Sequence, residues 1–217
     1  MRRIGLLGGT FDPVHNGHIR LAVEMGERLQ LDEIHLILAG VPPLRDQPSV
    51  AGSQRLAMLA TVIEEYESFV IDDRELHRDG PSYTIDTLEE LRQEHPDDSM
   101  SLIIGMDAFL QLEQWHRWKD LRSHVNVAVA TRPGYPLPAT GRLREVLQKH
   151  FTTPLESLSE SRNGIVKVIE IPSLHISATY IRKQIANGKD VRLLTLPRVI
   201  DFIKENGLYG YRQQPAS

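Results

Sequence analysis

The feature that most constrains this chain is a regular alternation. Short apolar runs rich in Ile, Val and Leu recur at Ile4 to Leu7, Ile34 to Ala39, Phe69 to Ile71, Leu102 to Ile104, Val125 to Ala130 and Ile165 to Ile171. Between them lie residues at helical spacing: Ile19, Ala22 and Val23; Leu56, Leu59, Ala60 and Ile63; Ile85, Leu88 and Leu91; Leu143, Val146 and Leu147. A strand that reaches the next strand through a helix crosses over, and the crossover makes the two strands parallel. Strands as continuously apolar as His35-Leu36-Ile37-Leu38 and Leu102-Ile103-Ile104 cannot offer a face to water, so helices must cover both sides. The pattern predicts an α/β fold: a doubly wound, Rossmann-like parallel sheet of about six strands with helices on both faces.

Two helices near the end are bounded by their own chemistry. Ser177 precedes one that stops at Asn187-Gly188, and Pro197 opens another that stops at Asn206-Gly207. The fold is expected to close near Tyr209, with residues 1–210 forming one domain and residues 211–217 a disordered tail. Two proline-bearing loops, Gly40 to Gly52 and Arg132 to Pro138, leave strand C-termini, where an open α/β sheet keeps its ligand crevice.

Composition removes several classes of function. A net charge of -4 lacks the clustered cations of a nucleic-acid surface, so small-molecule partners are expected and nucleic acid is not. With no cysteine there is neither a disulfide framework, nor a thiolate zinc site, nor a cysteine nucleophile. Met1-Arg2-Arg3 precedes an apolar stretch too short for a secretory core, and no run approaches the roughly 18 apolar residues of a membrane helix. No membrane partner is expected, and the reading is cytoplasmic. Nothing in the sequence fixes the oligomeric state.

The chemistry concentrates at Gly8-Gly9-Thr10-Phe11-Asp12-Pro13-Val14-His15-Asn16-Gly17-His18, between the first strand and the first helix. Gly8 and Gly9 remove side chains where the chain leaves the strand, so a ligand can approach main-chain N–H groups. The helix then aims its own unpaired N–H groups and positive dipole end at the crevice. An anion belongs there. His15 and His18, three apart across the helix start, fall on one side. Alternatives remain: a plain tight turn, capping histidines, or a two-histidine, one-carboxylate iron site made with Asp12. Near the other end, Ile176-Ser177-Ala178-Thr179-Tyr180-Ile181-Arg182 starts a helix with an N-cap serine and puts Thr179 and Arg182 on one face, a second candidate anion site or simply a capped surface helix.

The eleven-residue string resembles the G-T-F-D-P-x-H-x-G-H signature of the nucleotidyltransferase superfamily, distant structural cousins of the class I aminoacyl-tRNA synthetases. The second segment is similar to that superfamily's I-S-x-T-x-I-R motif. Within the superfamily the chain is most similar to the bacterial nicotinate mononucleotide adenylyltransferases. Val41-Pro42-Pro43, Gln54-Arg55, Pro81-Ser82-Tyr83-Thr84, Ile103-Ile104-Gly105-Met106-Asp107, Trp115, Arg132-Pro133-Gly134-Tyr135 and Gly207-Leu208-Tyr209 extend the match from Gly5 to Tyr209.

The resemblance implies adenylyl transfer from ATP to nicotinate mononucleotide, giving the dinucleotide and pyrophosphate in NAD biosynthesis. It implies that His15, His18 and Arg182 are catalytic, that Gly8, Gly9, Thr10, Phe11 and His18 border the ATP, and that Ser177, Thr179 and Arg182 grip its triphosphate. Gly105 and Asp107 would hold the adenine and ribose. Ser82, Tyr83, Thr84, Trp115 and His116 would surround the acceptor's pyridine ring, with Arg45 and Arg132 as candidates for its phosphate or as solvated surface residues. Mg²⁺ would arrive on the ATP phosphates, with no protein metal ligands. A Trp face suits a flat ring, although ordinary core packing is the alternative for Trp115. Three departures from the family pattern touch the acceptor side: Leu44 where a His is usual, Ala39-Gly40 before Val-Pro-Pro, and His116 in place of an aromatic. A phosphate monoester has a second pKa of about 6, so the attacking group is charged at neutral pH and the histidines are expected to donate hydrogen bonds, not to act as bases.

Overall fold

A computed structural model describes residues 1–44, 46–150, 153–172 and 174–211, without the side chains of 149 and 150. Its sheet has six strands in the order β3-β2-β1-β4-β5-β6, all parallel. They are β1 (Arg3–Gly9), β2 (Glu33–Leu38), β3 (Phe69–Asp72), β4 (Ser99–Gly105), β5 (Asn126–Thr131) and β6 (Val166–Glu170). The helices are α1 (Asn16–Arg28), α2 (Gly52–Ile63), α3 (Thr84–Glu94), α4 (Met106–Leu110), α5 (Gly141–His150), α6 (Ser157–Glu160), α7 (Ala178–Ala186) and α8 (Pro197–Glu205). The expected doubly wound, Rossmann-like sheet is present. None of the described helices is long and apolar enough to cross a membrane. Arg45 and the tail expected beyond Tyr211 lie outside the described residues, while Tyr211 itself packs against the core.

Period-two alternation in the strands divides the core in two. Ile4 and Leu6 of β1, Leu102 and Ile104 of β4, and Val127 and Val129 of β5 face one side, against Ile85, Leu88 and Leu91 of α3, Phe109 of α4 and Leu143 and Leu147 of α5. Leu7, Leu36, Ile103, Ala128 and Ala130 face the other, against α1, α2, α7 and α8 through residues such as Met25, Leu59, Ile181 and Ile203. Central strands β4 and β5 are buried along almost their whole length, whereas edge strands β3 and β6 are buried only in part. That is the gradient expected of a sheet covered on both faces.

The two late helices end as their sequences direct. Ser177 Oγ accepts from Tyr180 N at 3.2 Å, capping α7, and Gly188 and Gly207 take the left-handed conformations (φ 64° and 60°) that terminate α7 and α8. The β4-to-β5 crossover contains only the five-residue α4 and two 3₁₀ turns, Leu112–Gln114 and Leu121–Ser123. The irregular part of that crossover carries Trp115 and His116.

Candidate active site

Strand order reverses between β1 and β4, so the connections leaving those strands part to opposite faces and open a crevice at their C-terminal ends. Gly8 and Gly105, at or near those ends, are open: a Cβ on either would meet nothing within 4 Å. Gly9 differs, because its Cβ would press on the Phe11 ring at 3.1 Å. Phe11 is fully buried in the core at a positive φ of 46°, with its ring edge-on to His18 at 5.0 Å. Its ring therefore packs in the core and supports that of His18.

His15 is the N-cap of α1, and its ring stacks on that of His18 at 3.6 Å between centroids. His15 N donates to His18 Nδ1 at 3.3 Å, so a neutral His18 carries its proton on Nε2. Burial pushes His15 down to about 4, leaving it neutral at physiological pH, and its Nδ1 is buried without a hydrogen-bond partner. Two imidazoles in van der Waals contact resist a shared positive charge. The pair is built to donate hydrogen bonds. Gly17 leaves room for it, since a Cβ there would lie 3.0 Å from the His15 ring.

Asp12 proves to be a hub, not a turn former alone. Its carboxylate accepts from Ser49 N at 2.6 Å and from the Tyr209 hydroxyl at 2.8 Å, and it lies 3.6 Å from Arg182 Nη1. The same Arg182 nitrogen donates to the Asp12 carbonyl at 2.7 Å, while Nη2 reaches Thr179 Oγ1 at 3.3 Å. Only 3% exposed and committed to these partners, Asp12 cannot complete an iron site with His15 and His18. Arg182 is thus drawn from α7 across to the loop after β1, beside the histidine pair. Arg55, 2% exposed, donates through Nη1 to the carbonyls of Thr10 at 2.8 Å and Ala39 at 2.7 Å, tying the loops after β1 and β2 together.

Two clefts open at the strand C-termini and adjoin at the end of β4, where Gly105 borders one and Ile104 the other. One, of about 370 Å³, is bordered by Gly17, Gly105, Asp107, Arg132, His175 and Ser177. Tyr135 donates from its hydroxyl to Asp107 Oδ1 at 3.3 Å, and Arg132 bonds His175. The other, of about 480 Å³, is bordered by Gly8, Gly9 and Thr10 on one side and Ser82, Tyr83, Thr84, Trp115 and His116 on the other. There the Tyr83 and His116 rings lie 4.4 Å apart. Thr84 opens α3, so its N–H has no intrahelical acceptor and the positive end of that helix dipole faces this cleft. Gly105, Asp107 and Ser177 gather around one cleft, with Arg182 beside Asp12, and Ser82 to Thr84 gather with Trp115 and His116 around the other.

Two residues expected at the acceptor differ in where the fold puts them. Arg132, expected near the acceptor, borders the cleft with Asp107, because β5 lies beyond β4 on the far side of the switch from β2. Ser82 is in the expected cleft, but its Oγ accepts from Gly40 N and Val41 N, both at 3.0 Å, which makes it a pin between the cleft walls. Sequence reasoning missed the roles of Asp12, Arg55 and Tyr209. Arg55 was findable: it shares the buried stripe of α2 with Met58, Leu59 and Val62, where an arginine needs a reason.

Comparison with known proteins agrees with this geometry. The family model described as "Cytidylyltransferase-like" matches residues 6–184. A protein of Aeromonas hydrophila named "Probable nicotinate-nucleotide adenylyltransferase" is 42% identical over 206 residues, covering 95% of this chain and 96% of its own. A protein of the same name from Pseudomonas fluorescens is 45% identical over 209 residues, covering 96% and 97%. The solved structure of Plasmodium falciparum nicotinic acid mononucleotide adenylyltransferase complexed with NaAD aligns with a TM-score of 0.75 at 18% identity, covering 99% of this chain and 100% of that one, a likeness of fold.

Proposed function

The chain belongs to the nicotinate-nucleotide adenylyltransferases, and from that premise we propose that it transfers an adenylyl group from ATP to nicotinate mononucleotide in NAD biosynthesis, in the cytoplasm. One observation carries the reading to the residues. Two clefts adjoin at the end of β4, one with an open glycine and a carboxylate suited to a nucleoside, the other with an indole suited to a flat ring.

In the proposed reaction a phosphate oxygen of the mononucleotide attacks the α-phosphorus of ATP. The new P–O bond completes the dinucleotide while the bond to the β-phosphate breaks and pyrophosphate leaves. The nucleophile is already ionised, so no side chain need remove a proton. His15, neutral, and His18, stacked on it, donate to oxygens of the α- and β-phosphates as charge develops there. Arg182, held by Asp12, and the N-terminus of α7 behind Ser177 stabilise the departing pyrophosphate. Asp12 is committed to protein partners, which fits a Mg²⁺ carried by the ATP phosphates and supplying charge neutralisation there. The N–H groups of Thr84 and His116 and the dipole of α3 favour a carboxylate on the ring over a carboxamide. Gly8, Gly9 and Thr10 line the cleft that holds Trp115.

The test is pyrophosphate release with ATP and Mg²⁺ and, in separate reactions, nicotinate mononucleotide, nicotinamide mononucleotide or phosphopantetheine. Release with nicotinate mononucleotide, and more slowly with the amide, is expected. Release with phosphopantetheine alone would reassign the acceptor, and release with none would end the proposal.

A further inference from the structure

The cleft that holds Trp115 is walled largely by Ile37, Leu102, Ile104, Pro42 and Pro43. Among its described lining residues none is Lys or Arg, and Glu75 bears the only carboxylate. Glu75 comes from the 3₁₀ turn Arg74–His77 and is 7% exposed. Burying an acid in an apolar cleft is costly unless the charge is used.

Glu75 is also held in place. Thr87 Oγ1 donates to Glu75 Oε1 at 2.7 Å. Ser82 Oγ already accepts from two main-chain N–H groups, so its own hydrogen goes to the Glu75 carboxylate. Arg78 acts on Glu75 through its charge but hydrogen-bonds elsewhere, with Nη1 on Thr87 at 3.1 Å and Nη2 on Glu90 at 2.7 Å. Two hydroxyls thus orient an acid that no contacting cation neutralises. Burial raises the Glu75 carboxyl above the ordinary glutamate range, and the Thr87 and Ser82 hydrogen bonds, with the more distant charge of Arg78, oppose that rise.

The acceptor of the proposed reaction supplies the missing charge. Its ring nitrogen is bonded to ribose and is quaternary, so the ring carries a permanent positive charge with no proton to lose, apart from the carboxylate at its edge. We infer that Glu75 is the counter-charge of that pyridinium nitrogen, making the cleft selective for a mononucleotide whose ring is cationic, with the Trp115 face adding a cation–π attraction. The inference rests on the proposed reaction and assigns Glu75 as a specificity-determining residue. In an apolar cleft the attraction is weakly screened, so a tenfold or larger preference is expected.

The experiment compares nicotinate mononucleotide with the 3-carboxyphenyl C-riboside 5′-phosphate, which keeps the carboxylate, ribose and phosphate but has a neutral ring. KM is measured for the first and the competitive inhibition constant for the second. Glu75→Gln is expected to raise KM for the pyridinium about tenfold while leaving the phenyl analogue's constant unchanged, so the ratio of the two collapses. Ser82→Ala, which loosens the walls, is expected to weaken both ligands in parallel. Glu75→Asp keeps the charge and is expected to keep the preference, which covers the case of a poorly folded Gln variant. An unchanged ratio in Glu75→Gln, whether both constants rise or neither does, overturns the inference. A wild-type protein inactive with nicotinate mononucleotide overturns the reaction instead, a separate result.

Discussion

Replacing Asp12 by Asn tests whether the loop after β1 is held by charge. The carboxylate receives the Ser49 N–H, the Tyr209 hydroxyl and the Arg182 guanidinium, and it supplies negative charge to the buried Arg55. An Asn can accept one of the two neutral donors, but its amide N–H₂ then faces the other. One buried donor left without an acceptor costs about 1–3 kcal/mol. Arg55, 2% exposed, also loses its counter-charge, and uncompensated buried charges cost about 3–5 kcal/mol. The two costs overlap, so about 4 kcal/mol is expected in total. For a chain of this size that lowers Tm by roughly 10 °C. Urea unfolding should show the loss as a lower midpoint at unchanged slope. Tyr209→Phe alone should cost about 1–2 kcal/mol, and the double variant should cost less than the sum, because both act on one bond. The Arg182 bond to the Asp12 carbonyl survives the substitution, so turnover should fall less than stability suggests. An Asp12→Asn protein within about 0.5 kcal/mol of wild type, or strict additivity with Tyr209→Phe, refutes the reasoning.

His18→Ala should lower turnover about 10²- to 10³-fold with an unchanged melting curve, and near-normal turnover would remove His18 from the chemistry. His15 is held down to about 4 in the folded chain against 6.5 unfolded, so the folded state resists a proton that the unfolded state accepts. Its contribution to stability is complete above pH 6.5 and declines by about 3 kcal/mol as pH falls to 4, a loss that His15→Gln should not show in unfolding titrations across that window. Gly40→Ala places a Cβ 2.2 Å from the Glu75 carbonyl oxygen, so the loop after β2 must shift. A cost of about 1–3 kcal/mol and a raised KM for the mononucleotide with little change for ATP are expected from melts and steady-state kinetics.

The fold was legible because its signal is periodic. Apolar runs in the central strands and helical spacing between them survive any detail of packing, and the caps at Ser177, Gly188 and Gly207 are local chemistry. The anion-binding segments were legible for the same reason, as each is a strand end or helix start. Legibility fails where a role depends on who arrives from elsewhere. Asp12-Pro13 reads locally as a turn, and only the folded chain brings Ser49, Arg182 and Tyr209 to its carboxylate. Ser82 reads as a ligand contact until Gly40 and Val41 claim it. Arg132 could be assigned to a loop but not to a side of the crevice, because that depends on strand order.

The bond between Tyr209 and Asp12 spans 197 residues of sequence. A ribosome adding about 5–20 residues per second needs roughly 10–40 s to make the second partner after the first. Throughout that interval the sheet can assemble, since each strand pairs soon after it emerges, yet the carboxylate that anchors Arg182 still lacks its phenol. The strands can therefore pair before the loop after β1 receives its last tether, which comes from beyond α8.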